Sequence, residues 1–177
     1  SLTKGHRRGW IAASGSTATV ISVAELVNLP EGTNEHFWYD FGAMDSFAKK
    51  LAAAVEKLSI GDGLKAGVTT GPLINAAAVD KVEEHIEDAV SKGARLVVGG
   101  KRHALGGSFY QPTILADVTP AMKLASEEIF GPVAPLFRFK TEAEAIALAN
   151  DTELGLASYF FSRDLARVWR VAGALEV

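Results

Sequence analysis

The sequence predicts an α/β domain in which a largely parallel sheet is flanked by helices, and three observations lead there. From Phe41 onward, short apolar runs alternate with stretches whose apolar residues recur at the helical period, the order expected when helices cross over a sheet. Capping residues and Gly or Pro clusters bound these stretches. The chain has 177 residues of which 48% are hydrophobic, enough for one domain to bury a sizeable core.

The elements follow in order. Residues 1–40 form an atypical segment of small residues and scattered Gly, with one candidate strand through Thr17, Thr19, Val20, Ile21 and Val23. Phe47, Leu51, Val55 and Leu58 then mark an amphipathic helix, with Lys49, Lys50, Glu56 and Lys57 on its other face. Gly61, Asp62, Gly63, Gly67, Gly71 and Pro72 make a loop. Asn75 caps a second helix whose apolar stripe is Val79, Val82, Ile86, Ala89 and Val90, with Gly93 as its left-handed terminator. The outer face carries Glu83, Glu84, Glu87 and Asp88, which reads as a solvated face rather than a metal site.

Strands are expected over 95–98, 109–115, 133–139 and 156–161, with Pro112 and Pro135 each placing its strand at an edge or a bulge. Thr141 with Glu144 forms a capping box for a third helix, and Ser162 caps a last one with Leu165, Val168, Trp169, Ala172 and Leu175 on one stripe. Strand-helix alternation favours right-handed crossovers and parallel pairing.

Charge and composition exclude several functions. Eighteen basic against 21 acidic residues give a net charge of -3, so wrapping of nucleic acid or of anionic lipid is not expected. No apolar run approaches the ~20 residues of a membrane-spanning helix and no secretory leader is evident, which reads as a cytoplasmic protein. The absence of cysteine removes disulfides, thiolate metal sites and a cysteine nucleophile. A start at Ser1 and an end directly after a helical pattern read as part of something larger.

Phosphate-binding GxxxxGK, GxGxxG, HExxH and GxSxG motifs are all missing. His6, His36, His85 and His103 have no second ligand at metal spacing, so no metal site is assigned and each reads as a polar surface histidine. Gly99, Gly100, Gly106 and Gly107 bracket Lys101, Arg102 and His103; they form either an anion cradle or, preferably, a hairpin-like surface loop between two strands. The most informative run is Glu127, Glu128, Ile129, Phe130, Gly131, Pro132 and Val133. A fixed carboxylate there could accept two sugar hydroxyls while the ring packs on a flat heterocycle; the plain alternative is a solvated acidic loop before an edge strand.

From about residue 41 to 176 the sequence resembles the later part of the catalytic domain of the NAD(P)-dependent aldehyde dehydrogenases. The phrases that carry the resemblance are FAKKLAAAVEKLSIGDGL, GPLI, KVEEHIEDAVSKGARLVVGGKRH, FYQPTIL, EEIFGPVAPLFRFKTEAEAIALANDTELGLASYFFSRDL and RVAGALE, and their wording is most similar to the succinate-semialdehyde dehydrogenase branch. The resemblance implies a partial aldehyde dehydrogenase catalytic domain over 41–177, with NAD or NADP as cofactor, which this chain alone is expected to bind weakly or not at all, and a small aldehyde as substrate of the parent enzyme. It further implies that Glu128 binds the nicotinamide ribose hydroxyls and that Phe130 packs beside the nicotinamide ring. Glu127, Gly131 and Pro132 would shape the turn, and Asn150 and Gly155 the loop between helix and strand.

The family reaction needs a thiolate to attack the aldehyde, hydride transfer to the nicotinamide, and a glutamate to activate water. Here the nearest counterpart of the family's nucleophile region is Thr33, Asn34 and Glu35, with no cysteine around 29–31. Ser14, Ser16 and Ser22 have no evident base and are no substitute. No catalytic residue is therefore assigned, and the chain by itself is expected to be inactive. The alternative is a non-catalytic α/β scaffold or oligomerisation module derived from the family, associating with itself or with full-length subunits. An unrelated ligand-binding α/β domain leaves the ordered phrases unexplained.

Overall fold

The computed structural model describes residues 43–151, 162 and 164–176. The candidate strand near 17–23, the strand over 156–161 and the loop position of Gly155 lie outside the described residues. Helix α1 spans Ala43–Val55 and α2 spans Ala76–Ser91; strands β1 (Arg95–Val98), β2 (Thr113–Val118) and β3 (Val133–Phe137) follow, then α3 (Glu142–Asn150) and α4 (Leu165–Ala174). One turn of 3-10 helix, Lys123–Ala125, lies between β2 and β3.

The three strands lie in the order β1-β2-β3, with β2 in the middle. This puts β2 between two helical layers, and its alternation decides which side chain meets which helix. Ile114 and Ala116 point to one face, where they join Ala134 and Leu136 of β3 and the α1 stripe Met44, Phe47, Ala48, Leu51 and Val55. Leu115 points to the other, where it packs with Val79, Val82, Ile86 and Ala89 of α2. Strict alternation would send Val118 to the α1 side, yet it packs on the α2 side. The register shift between Leu115 and Val118 supplies the extra residue, Asp117, at φ 61.

Helices flanking a sheet are thus present as expected, and the described sheet is mixed: β2 and β3 are parallel, while β1 and β2 are antiparallel. The antiparallel pair is a hairpin whose connection contains Lys101, Arg102 and His103, so the hairpin reading of that glycine-bracketed loop holds, and Arg102 bridges to Tyr110 near its base. Residues 109–112 do not belong to the ladder proper. Pro112 lacks an N–H and β2 is central, so regular pairing begins at Thr113, one residue later. Pro135 sits within β3, paired with Leu115 at the margin of the register shift.

Several ends are fixed by local chemistry. The Asn75 side chain accepts from the Ala78 N–H at 2.9 Å, capping α2. At its other end Gly93 takes φ 101, and the Ala94 N–H reaches the Ala89 carbonyl at 2.9 Å, closing a Schellman turn. Thr141 caps α3 through the Glu144 N–H at 3.2 Å, whereas Glu144 reaches back to the Lys140 N–H at 2.8 Å, one residue beyond the reciprocal bond of a standard box.

The last helix corrects two expectations. Asp164, not Ser162, is its cap, accepting from the Ala166 and Arg167 N–H groups, and Ser162 instead accepts from Asp164 N at 3.1 Å. Both N–H groups donate to Asp164 Oδ1, and the negative charge that a carboxylate has and a hydroxyl lacks favours the helix N-terminus. The buried residue of α4 is Val171, while Leu165 and Trp169 remain 69% and 74% exposed among the described residues.

Candidate functional site

The run from Glu127 to Pro132 connects the 3-10 turn to β3, so it leaves the sheet on the α2 side, and α2 determines its course. Along one face of α2, at helical spacing, four side chains reach across. Lys81 Nζ donates to the Glu128 carbonyl at 2.5 Å, and Lys92 Nζ donates to the Ala121 carbonyl at 2.8 Å. The Asp88 carboxylate accepts from the Lys123 N–H at 2.8 Å, and Glu84 pairs with the Lys123 ammonium. Charge follows geometry. The Lys123 ammonium holds the Glu84 carboxyl below its usual range, and Lys92, followed by the Lys123 N–H, does the same for Asp88.

This revises the reading of the acidic outer face of α2. Glu84 and Asp88 fasten the segment that leads into the turn, and Glu83 with Asp80 clasps Arg102 of the hairpin, at 2.7 and 2.8 Å. The Arg102 guanidinium lowers the Glu83 carboxyl. No cluster of three or more metal-ligating side chains occurs among the described residues.

The turn itself presents one ring outward. Phe130 is 62% exposed and adopts φ 48, a left-handed conformation costing a non-glycine residue about 1–2 kcal/mol. Its neighbours explain why the chain accepts it. Ile129 packs against the α2 cluster, and a Cβ on Gly131 would lie 2.3 Å from Val82 Cγ2, so only glycine permits the chain to pass so close to α2. Pro132 then hands its carbonyl to the Thr113 N–H at 2.8 Å, entering the sheet. Glu128, half-buried, stands two residues before the ring with its carbonyl tied to Lys81. Both sequence-predicted site residues therefore lie on one short turn anchored at each end.

Sequence reasoning missed the supporting residues. His85 is 1% exposed rather than on the surface, with Nδ1 2.8 Å from the Lys81 carbonyl and Nε2 3.4 Å from Glu127 Oε2. Its position three residues after Val82 and one before Ile86 puts it within the apolar arc, the signal that could have found it. Val90, expected in that arc, is 44% exposed. His103 does lie on the hairpin loop, where Nδ1 accepts from the Leu105 N–H at 3.3 Å. His6 and His36 are outside the described residues. Asn150 joins two helix ends, donating to the Ala174 carbonyl at 2.8 Å and accepting from the Glu176 N–H at 3.0 Å.

Comparison with known proteins gives this geometry a context. A profile described as the aldehyde dehydrogenase family matches residues 40–177. The glutarate-semialdehyde dehydrogenase of Pseudomonas aeruginosa is 67% identical over 135 residues, covering 76% of this chain and 28% of that protein. A succinate-semialdehyde dehydrogenase of Escherichia coli, whose name specifies NADP(+), is 65% identical over the same shares of each. Among solved structures, the succinate-semialdehyde dehydrogenase of Burkholderia pseudomallei superposes with a TM-score of 0.74 at 63% identity, covering 76% of this chain and 28% of that one. The chain thus spans little more than a quarter of the length of the relatives it matches.

Proposed function

Because the chain belongs to the aldehyde dehydrogenase family, we propose that it forms one wall of the nicotinamide site of an enzyme oxidising a small aldehyde to its carboxylic acid. Glu128 holds the ribose hydroxyls and Phe130 packs beside the nicotinamide ring. The observation that carries this reading is Phe130, an exposed aromatic ring held out on strained backbone by a turn that α2 fastens. The fit is chemical as well as geometric: a carboxylate matches a vicinal diol with two acceptors, and a flat apolar ring matches a flat heterocycle. When bound, NAD or NADP supplies the hydride acceptor. The chain's own part is to orient that acceptor and shield one side of it from water.

The relatives named for succinate and glutarate semialdehyde support a short aldehyde bearing a second carboxylate as substrate, with succinate semialdehyde the first candidate. We read residues 1–40 as a segment apart from the family domain at 41–177, a division supported by a match beginning at residue 40. We also place the protein in the cytoplasm; no helix of the described residues is long and apolar enough to cross a membrane.

With no cysteine in the sequence, the chain lacks the family's thiolate, and its separate 177 residues are expected to show no aldehyde-dependent cofactor reduction. Absorbance assays with succinate semialdehyde and each nicotinamide cofactor, beside an active full-length control, test this; turnover would refute it. Binding is tested separately by titrating NAD+ and NADP+ against the amide resonances of Glu128 and Phe130. Glu128→Gln weakens binding roughly tenfold or more, the scale of a hydrogen bond to a charged group. Phe130→Ala removes contact while changing stability by no more than about 0.5 kcal/mol, since the ring is mostly exposed. Equal affinity in wild type and both variants would overturn the assignment.

The exposed Leu165 and Trp169 on α4 favour the second reading, an assembly module that associates with itself. Light scattering over a concentration series tests it, and a constant monomer mass would remove it.

A further inference from the structure

We propose that His85 is a positioning residue for the Glu128–Phe130 turn and that it acts through Glu127; this rests on the reading of that turn as a cofactor wall. The ring's hydrogen-bond chemistry leads there. Nδ1 lies 2.8 Å from the Lys81 carbonyl, and a carbonyl only accepts, so Nδ1 bears a proton. In a neutral ring Nε2 is then bare. It is buried, has no hydrogen-bond partner among the described residues, and faces Glu127 Oε2 at 3.4 Å. A lone pair and a carboxylate repel, whereas a proton on Nε2 turns the same contact into an ion pair. The ring cannot leave, because it lies inside the α2 packing, but the Glu127 side chain is 51% exposed and can move. What Nε2 offers and where Glu127 stands are therefore one variable.

The turn feels that variable directly. Glu127 adjoins Glu128, whose carbonyl is held by Lys81, so residues one turn apart on α2 grip consecutive residues of the turn. Of the neighbouring charges, Glu84 pairs with Lys123 and also feels the ring, and Lys123 in turn acts on Glu127. Glu127 is the carboxylate that faces the bare ring nitrogen, at 3.4 Å. By meeting Glu127 across 3.4 Å, the ring helps set the backbone that aims Glu128 and Phe130.

Nuclear magnetic resonance on the full chain reads this without any need for turnover. Imidazole nitrogen shifts first establish that His85 Nδ1 bears the proton. Glu127→Ala, a change on a half-exposed side chain that leaves the core intact, is expected to shift the His85 Nε2 signal and the amides of Glu128 and Phe130. Glu127→Gln, whose amide N–H can donate to the bare Nε2, is expected to shift those amides less than Glu127→Ala does. His85→Leu, which keeps the volume and removes both nitrogens, shifts the same amides in the wild-type background and adds no further shift to Glu127→Ala. Amides unmoved by Glu127→Ala, or a His85→Leu effect undiminished in that background, would overturn the proposal. A cofactor titration kept separate distinguishes the two readings: turn amides that follow His85 and Glu127 but ignore NAD+ and NADP+ would leave the positioning intact and remove the cofactor wall.

Discussion

Gly131 shows how much of the site depends on one missing atom. A Cβ there would sit 2.3 Å from Val82 Cγ2, and Val82 is fully buried, so neither group can yield without moving backbone. Gly131→Ala is expected to cost about 1–3 kcal/mol, the range of overpacking in a closed core. Val82→Ala removes the offending methyl, so the glycine substitution should cost less in that background; urea unfolding of both singles and the double checks this, and strictly additive losses would refute the close contact. Sequence alone singled out Glu128 and Phe130 because they stand in a phrase, and it left Gly131 and Pro132 with shaping the turn. It read His85 as a surface side chain because it weighed metal spacing and not the place of the ring between Val82 and Ile86 in the apolar arc. Lys81 was invisible for another reason: a long flexible side chain declares no partner until the partner's backbone is placed.

Elements meet through a four-membered charge network, and its pH response follows from one sign. Arg95 and Arg138 each touch both Asp45 of α1 and Asp117 of β2, at 2.7 and 3.3 Å for Arg95 and 3.1 and 2.5 Å for Arg138. The Arg138 guanidinium, before Arg95, holds the Asp117 carboxyl below its usual range of about 3.9. A lowered native value means stability that is present above the ordinary carboxylate range and lost as pH falls through the lowered one. Asp117→Asn should therefore melt at lower temperature than wild type at neutral pH and lose less on acidification, its side chain still suited to the left-handed φ 61. Melting curves of equal acid slope in both proteins would refute this. Such cross-element bonds were illegible in the sequence, where Asp117 looked like one more polar residue after a strand. The helices themselves were legible, through period and caps at Asn75, Gly93 and Thr141. The direction an apolar stripe faces was not, as α4 shows: it turns Val171 inward and leaves Leu165 and Trp169 out.

Across the whole molecule, β2 joins two cores that share no helix. Ile114 and Leu115 are adjacent in sequence and both fully buried, yet the first packs under α1 and the second under α2. The layered α/β arrangement was readable from alternation alone, because a strand buried on both faces reads as a continuous apolar run. The antiparallel direction of β1 was not contained in that alternation; it followed instead from the short glycine-bracketed connection, which allows a hairpin without a crossover helix. Since each core is held by the same strand, losing either face strips β2 of half its burial and leaves the other helix with no sheet to cover. Ile114→Ala and Leu115→Ala are each expected to cost about 2–5 kcal/mol. Both should lower a single transition, with probes placed in α1 and in α2 melting at one temperature. The double substitution would then remove about 4–10 kcal/mol, a large share of the roughly 5–15 kcal/mol that domains possess, and should leave much of the chain unfolded at 25 °C. An α1 layer that melts apart from an α2 layer in either single variant would show that the cores are independent, and that the turn bearing Glu128 and Phe130 depends on α2 alone.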